Sequence, residues 1–145
     1  QPYRTVEFDP RYRLPLYQAV FHDAIVSSHH WNYDNLKFSD VQTTRSLLSQ
    51  LYNTAPMFHL SRATLAARLP AIKRADAAFR PLHQALWDKA LTDFRWLDRD
   101  GWVQQTSFSD GSTLTANFSA RPFAGVAAHS LRAKLADGRT FDVAP

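Results

Sequence analysis

The sequence predicts an α+β chain: a βαβα half over residues 14–96, with its two strands paired in parallel, followed by an antiparallel β module. Three observations predict it. Two short apolar runs, at residues 14–26 and 55–60, are separated by a stretch of helical periodicity. A longer helical period follows the second run. Beyond Asp98 the spacing of apolar residues changes from helical to two.

The first run, LPLYQAVFHDAIV, begins at Pro15 and is interrupted only by Gln18 and the pair His22-Asp23. A nearly continuous apolar run suits a parallel strand covered on both faces better than a half-exposed one. After a polar, aromatic loop (residues 27–39), Val41, Thr44, Leu48, Leu51 and Tyr52 recur at helical spacing behind a cap at Ser39 or Asp40. This helix is expected to end near Asn53. The second run, APMFHL, reads as a strand, with Ser61 as N-cap of a long helix through Leu65, Leu69, Ile72, Ala75, Phe79, Leu82, Leu86, Ala90 and Phe94. Pro70 and Pro81 each remove a backbone donor and are expected to break or kink it. Such an order implies a right-handed crossover. Two parallel strands do not make a sheet, so neighbouring strands are expected from outside this chain.

In the second half Trp102, Gln104, Thr106 and Phe108 alternate, Ser109-Asp110-Gly111-Ser112 form a turn, and Leu114, Ala116 and Phe118 answer on the return. A second hairpin repeats the pattern, with Leu131, Ala133 and Leu135 before the turn Ala136-Asp137-Gly138-Arg139 and residues 140–143 after it.

Composition narrows the function. Apolar residues make up 45% of the chain, with ten Phe, five Tyr and four Trp, which is far from a disordered composition. The net charge is +4, yet the 17 Lys and Arg are scattered and no run exceeds Lys73-Arg74, so no nucleic-acid footprint is expected. There is no cysteine, which closes disulfide and zinc-thiolate readings. No stretch approaches the roughly 18 apolar residues of a membrane span. With four glycines there is neither a G-x-S-x-G elbow nor a glycine-rich phosphate loop. The sequence begins at Gln1 and its one methionine is Met57, so further chain is expected upstream.

In this order RLPLYQAVFHDAIV, an aromatic loop, LLSQLYNTAPMFHL, a long helix and VQQTSFSDGSTLTANF resemble the end of the catalytic region in glycoside hydrolases of the endo-α-N-acetylgalactosaminidase type. The resemblance covers about residues 12–120. The ordered set of three motifs is more specific than any one of them. The resemblance implies that residues 1–97 are the C-terminal portion of a (β/α)₈ barrel and residues 98–145 a following antiparallel β module. It also implies a carbohydrate substrate, no cofactor, and a secreted or periplasmic parent. The chain departs from the family pattern at Ser28-His29-His30-Trp31, so the identity of the sugar does not carry over.

In a barrel, substrate-facing groups lie at the C-terminal ends of strands and in the loops that follow. On that rule His22 and Asp23 at the end of the first strand, Trp31 and Tyr33 in the loop, and His59 near the end of the second strand are the candidate substrate-binding residues. Each has a plainer reading: a satisfied core histidine, a carboxylate that orients it, an aromatic packed locally. Glycoside hydrolysis usually needs two carboxyls across the scissile bond. Here there is a single glutamate, Glu7, and most of the aspartates fall in turns, caps or helices. The resemblance therefore implies catalytic residues upstream of Gln1 and an inactive isolated piece. No metal site is expected, because His29 and His30 diverge in an extended chain and His22, Asp23 and His59 converge only if the strands are neighbours. Exposed strand edges lead to the expectation of a homo-oligomer of the isolated piece. The competing reading is a stand-alone carbohydrate-binding or protein-interaction module, with a self-contained antiparallel sheet and helices on one face.

Overall fold

A computed structural model describes residues 8–29, 36 and 38–145. A 3-10 turn at Pro10–Tyr12 leads into α1 (Leu16–Phe21), β1 (Ser28–His29), α2 (Ser39–Leu51), β2 (Ala55–Pro56) and α3 (Leu65–Leu86). Five strands follow: β3 (Leu91–Trp96), β4 (Val103–Phe108), β5 (Thr113–Asn117), β6 (Ser130–Lys134) and β7 (Thr140–Val143). Strands β1 and β2 pair in parallel, Ser28 with Ala55 and His29 with Pro56. The other five form one antiparallel sheet in chain order.

The expected strand over residues 14–26 is a correction: its centre is helix α1, and the parallel strand is the short Ser28–His29 segment that follows. Pro15 opens the helix, where its missing N–H costs nothing, and its carbonyl accepts a bond from Ala19 N at 2.8 Å. Of the polar interruptions of the run, Gln18 and His22 are buried and Asp23 is exposed. Gln18 and His22, four apart, face inward, whereas Leu16 and Val20 are 69% and 66% exposed. Regular pairing of the second strand stops at Pro56, which has no N–H to give to a ladder.

Helix α2 ends in Tyr52 and then Asn53, whose φ of 51° is the left-handed conformation common just past a helix end. Helix α3 does not break at Pro70 or Pro81; both stand inside one helix of 22 residues. Each leaves the carbonyl four residues earlier without its donor, but Ala66 and Ala77 are exposed and water can reach them. Its start is at Leu65 rather than beside Ser61, because Ser61 forms a preceding turn with Thr64, their hydroxyls 3.0 Å apart. The helix stops at Leu86. Residues 91–96, read from the sequence as its continuation through Phe94, are strand β3, so the sheet begins ahead of the boundary expected at residue 97.

Register puts Thr106 opposite Leu114, Leu114 opposite Ala133, and Ala133 opposite Phe141, so on one face of the sheet an apolar row across β5, β6 and β7 continues to the threonine on β4. Onto that face pack Leu47, Leu48 and Leu51 of α2 with Leu82 and Leu86 of α3, in a single core. Full burial of a leucine contributes roughly 1.5–3 kcal/mol. Two buried polar side chains tie the layers together. Thr106 Oγ1 donates to the Leu51 carbonyl at 2.7 Å, satisfying an acceptor that the end of α2 leaves open. Gln104 Nε2 donates to the carbonyls of Pro10 and Gly101, both at 2.9 Å, which straps residues 8–12 to β4.

Both expected hairpins are present. Gly111 and Gly138 take φ near +90°, as the Asp-Gly turns require. Asn117 organises the long β5–β6 connection, its Nδ2 donating to the carbonyls of Arg121 (2.7 Å) and Ala127 (3.1 Å).

Candidate functional site

The parallel pair fixes which end of the first half each side chain occupies. Segments that precede β1 and β2 lie at one end of the pair, and segments that follow them lie at the other. Helix α1, with His22 and Asp23 behind it, precedes β1; His59 follows β2. The structure therefore does not bring His22 and Asp23 together with His59. Trp31 and Tyr33 lie outside the described residues.

His22 is 6% exposed and joins elements distant in sequence. Its Nδ1 lies 2.6 Å from the Lys89 carbonyl, and since a carbonyl only accepts, Nδ1 carries the proton. The ring stands edge-on to Phe108 at 5.3 Å. Asp23 lies exposed in the turn that follows α1. His59 is exposed in the loop after β2, and its carbonyl accepts from the Arg68 guanidinium.

Two further histidines join elements distant in sequence, and sequence reasoning gave neither a binding role. His29 Nδ1 lies 3.0 Å from Ser49 Oγ, joining β1 to α2. Burial pushes the His29 imidazole down to about 4, and the Arg13 charge adds to the effect, so the ring is neutral at neutral pH. His83 Nδ1 lies 2.9 Å from Asn53 Oδ1, joining α3 to the turn after α2, and the His83 ring stacks on Phe79 at 5.1 Å. Burial, with His22 nearby, holds His83 below the usual imidazole value. Tyr52 lies between the rings of His29 and Phe94, 6.3 and 6.4 Å away, and burial raises its phenol well above the usual range. The one available signal for His83 was its place four residues after Phe79 on a helical period.

Many of the aspartates are engaged in turns and ion pairs. Asp9 is paired with Arg11, Asp76 with Arg80, Asp93 with Arg95, Asp137 with Arg139 and Asp142 with Arg132. Asp98 accepts from Val103 N at 2.8 Å, and Asp110 from Ser112 N at 2.9 Å. The arginine partners hold Asp9 and Asp142 below the usual carboxylate range. Among the described residues no group of three or more His, Asp or Glu is placed to hold a metal ion, and no helix is long and apolar enough to cross a membrane.

Comparison with known proteins gives this arrangement a family. Among solved structures the chain is similar to the α-N-acetylgalactosaminidase NagBb from Bifidobacterium bifidum, determined as a quadruple mutant, with a TM-score of 0.52 and 22% identity. At that identity the likeness is one of fold. It covers 83% of this chain and 19% of NagBb, so the chain spans about a fifth of that enzyme's length. No curated protein matches. Residues 1–107 match the family described as glycosyl hydrolases related to the GH101 family, GH129. The match takes in most of the chain, which belongs to that family of glycoside hydrolases.

Proposed function

We propose that this chain is the C-terminal part of a glycoside hydrolase acting on O-glycosyl bonds of a carbohydrate substrate. Its first half supplies the last two strands and helices of a (β/α)₈ barrel, and its second half the β module behind it. The catalytic carboxylate pair belongs to strands outside this chain. The observation that carries this reading is the β1–β2 pair, which among the described residues is a parallel sheet of two strands in β-α-β-α order. Parallel sheets occur almost only with both faces covered and with further strands beside them. Leu16, Val20, Ile25 and Val26 are left exposed around β1, as expected of residues that meet the rest of a barrel. Because β3 belongs to the sheet, the proposed boundary between the two parts is residues 87–90 rather than residue 97.

Within that reading the barrel rule assigns roles by position. Trp31, Tyr33 and His59 follow the parallel strands, and their proposed role is contact with the sugar. His22 and Asp23 precede β1, where the rule gives stability rather than chemistry. The competing binding-module reading draws on the single core that joins α2 and α3 to one face of the antiparallel sheet. The parallel pair favours the barrel.

The test is hydrolysis of an aryl α-N-acetylgalactosaminide by this chain and by the longer polypeptide that contains it. Turnover by the longer polypeptide alone, reduced by His59→Ala and not by His22→Ala, is the expected result. Turnover by the isolated chain would place the carboxylates within it and overturn the proposal.

A further inference from the structure

Helix α3 has four distinct faces. Phe79, Leu82 and Leu86 are buried in the core. Ala71, Ala75 and Ala78 look across a narrow cleft to α2. Ala66, Pro70, Lys73 and Ala77, three and four apart, are exposed and make a solvent face with no large apolar side chain. The fourth face carries Leu65, Leu69 and Ile72. They follow the i, i+4, i+7 spacing of a single helical stripe, yet Leu65 is 45% and Leu69 39% exposed. At about 100° per residue this stripe lies roughly 70° round the helix from the core residues, on the side away from α2.

Single leucines on a surface are ordinary, but a stripe in helical register beside a groove is not. The groove runs from Pro56 and Phe58, at and beyond the end of β2, to Ile72 and Phe79 of α3. Asp76 and Arg80, an ion pair one helical turn apart with both side chains exposed, also line it. Apolar side chains three and four apart form the ridges against which a second helix packs. A strand has no ladder to join on a helix flank.

The parallel pair indicates where such a helix comes from. Crossover helix α2 joins β1 to β2 and lies on the alanine side of α3. A further parallel strand on the free edge of β2 brings its own helix to the opposite side of α3, over the leucines. The chain spans about a fifth of NagBb, so four-fifths of a polypeptide of that length lies outside it.

We propose that Leu65, Leu69 and Ile72 are the docking surface for an amphipathic helix of the same polypeptide, from the strand-helix unit that pairs with the free edge of β2, and that one of its apolar side chains enters the groove between Phe58 and Phe79. The proposal rests on the barrel reading and goes beyond it, because a strand can pair with β2 without its helix covering α3.

Hydrogen exchange is followed in the 145-residue chain and in the longer polypeptide proposed to contain it. Leu69→Asp is expected to quicken exchange over residues 65–76 at least about tenfold in the longer polypeptide, where the charge meets an apolar partner. In the isolated chain the change is expected to stay within about threefold, the helix-propensity cost of aspartate alone. Ala77→Asp, on the solvent face, is expected to give only that smaller change in both. Val20→Asp, read over residues 16–21, reports separately on the barrel face of α1. The proposal is overturned if Leu69→Asp acts no more strongly than Ala77→Asp in the longer polypeptide. With Val20→Asp still at least about tenfold there, the barrel stands without this helix; with Val20→Asp silent, the barrel reading falls as well. The proposal is also overturned if light scattering finds the isolated chain to be a dimer that Leu69→Asp splits, which gives the surface to a second copy.

Discussion

The His29 side chain makes the stability of this chain pH-dependent in a calculable way. Its ring bonds Ser49 across β1 and α2, and burial holds its pKa at about 4. An unfolded histidine titrates near ~6.5. The folded state thus takes up the proton at lower pH than the unfolded state, so the His29 contribution is complete above about pH 6.5 and is lost as pH falls toward 4. Linkage with these two values gives a loss of about 2 kcal/mol at about pH 5 and about 3 kcal/mol near pH 4. His83 shifts in the same direction and adds to the slope. The perturbation is His29→Asn, whose amide nitrogen takes the place of Nδ1 and does not titrate. The variant loses ring packing against Tyr52, so the comparison is of pH dependence rather than of absolute stability. Urea unfolding at about pH 7.5 and about pH 5 is expected to show the native chain losing about 2 kcal/mol more than the variant, roughly 1 M in midpoint. Equal pH dependence in the two proteins would mean that the imidazole titrates normally, and the reasoning from burial would fail.

Three other outcomes follow from the packing. Thr106→Val removes the donor to the Leu51 carbonyl and is expected to cost about 1–3 kcal/mol in thermal unfolding, despite the near-identical shape of the side chains. Leu82→Ala, at the contact of α3 with the sheet, is expected to cost about 2–5 kcal/mol by denaturant unfolding. Asn117→Ala releases the β5–β6 connection, and hydrogen exchange is expected to quicken across residues 119–129 while the β4–β5 hairpin keeps its protection.

The parts of the fold legible in the sequence are those written in local chemistry. Both hairpins carry an Asp-Gly turn between residues alternating with period two, and neither needs a distant partner to specify its register. Helix α2 and the core half of α3 are equally local, set by leucines three and four apart. Residues 14–26 hold a helix and not the expected strand: a continuous apolar run does not distinguish the two, and much of its apolar surface remains exposed. The hydrogen bond of His22 runs to Lys89, 67 residues away, a contact that no local pattern can announce. Strand β3 was hidden by the four-residue spacing of Leu86, Ala90 and Phe94, which imitates a helix. The pairing of His29 with Ser49 and of His83 with Asn53 exists only once α2 has been laid against β1 and α3.

The most direct test of the barrel account is an experimental structure of the longer polypeptide proposed to contain this chain. The account predicts that β1 and β2 each gain a parallel neighbour on the free edge, that Leu16 and Val20 become buried, and that a carboxylate pair from other strands faces the loops after β1 and β2. Edges of β1 and β2 left open, or covered by an antiparallel strand, with no carboxylates opposite those loops, would contradict it.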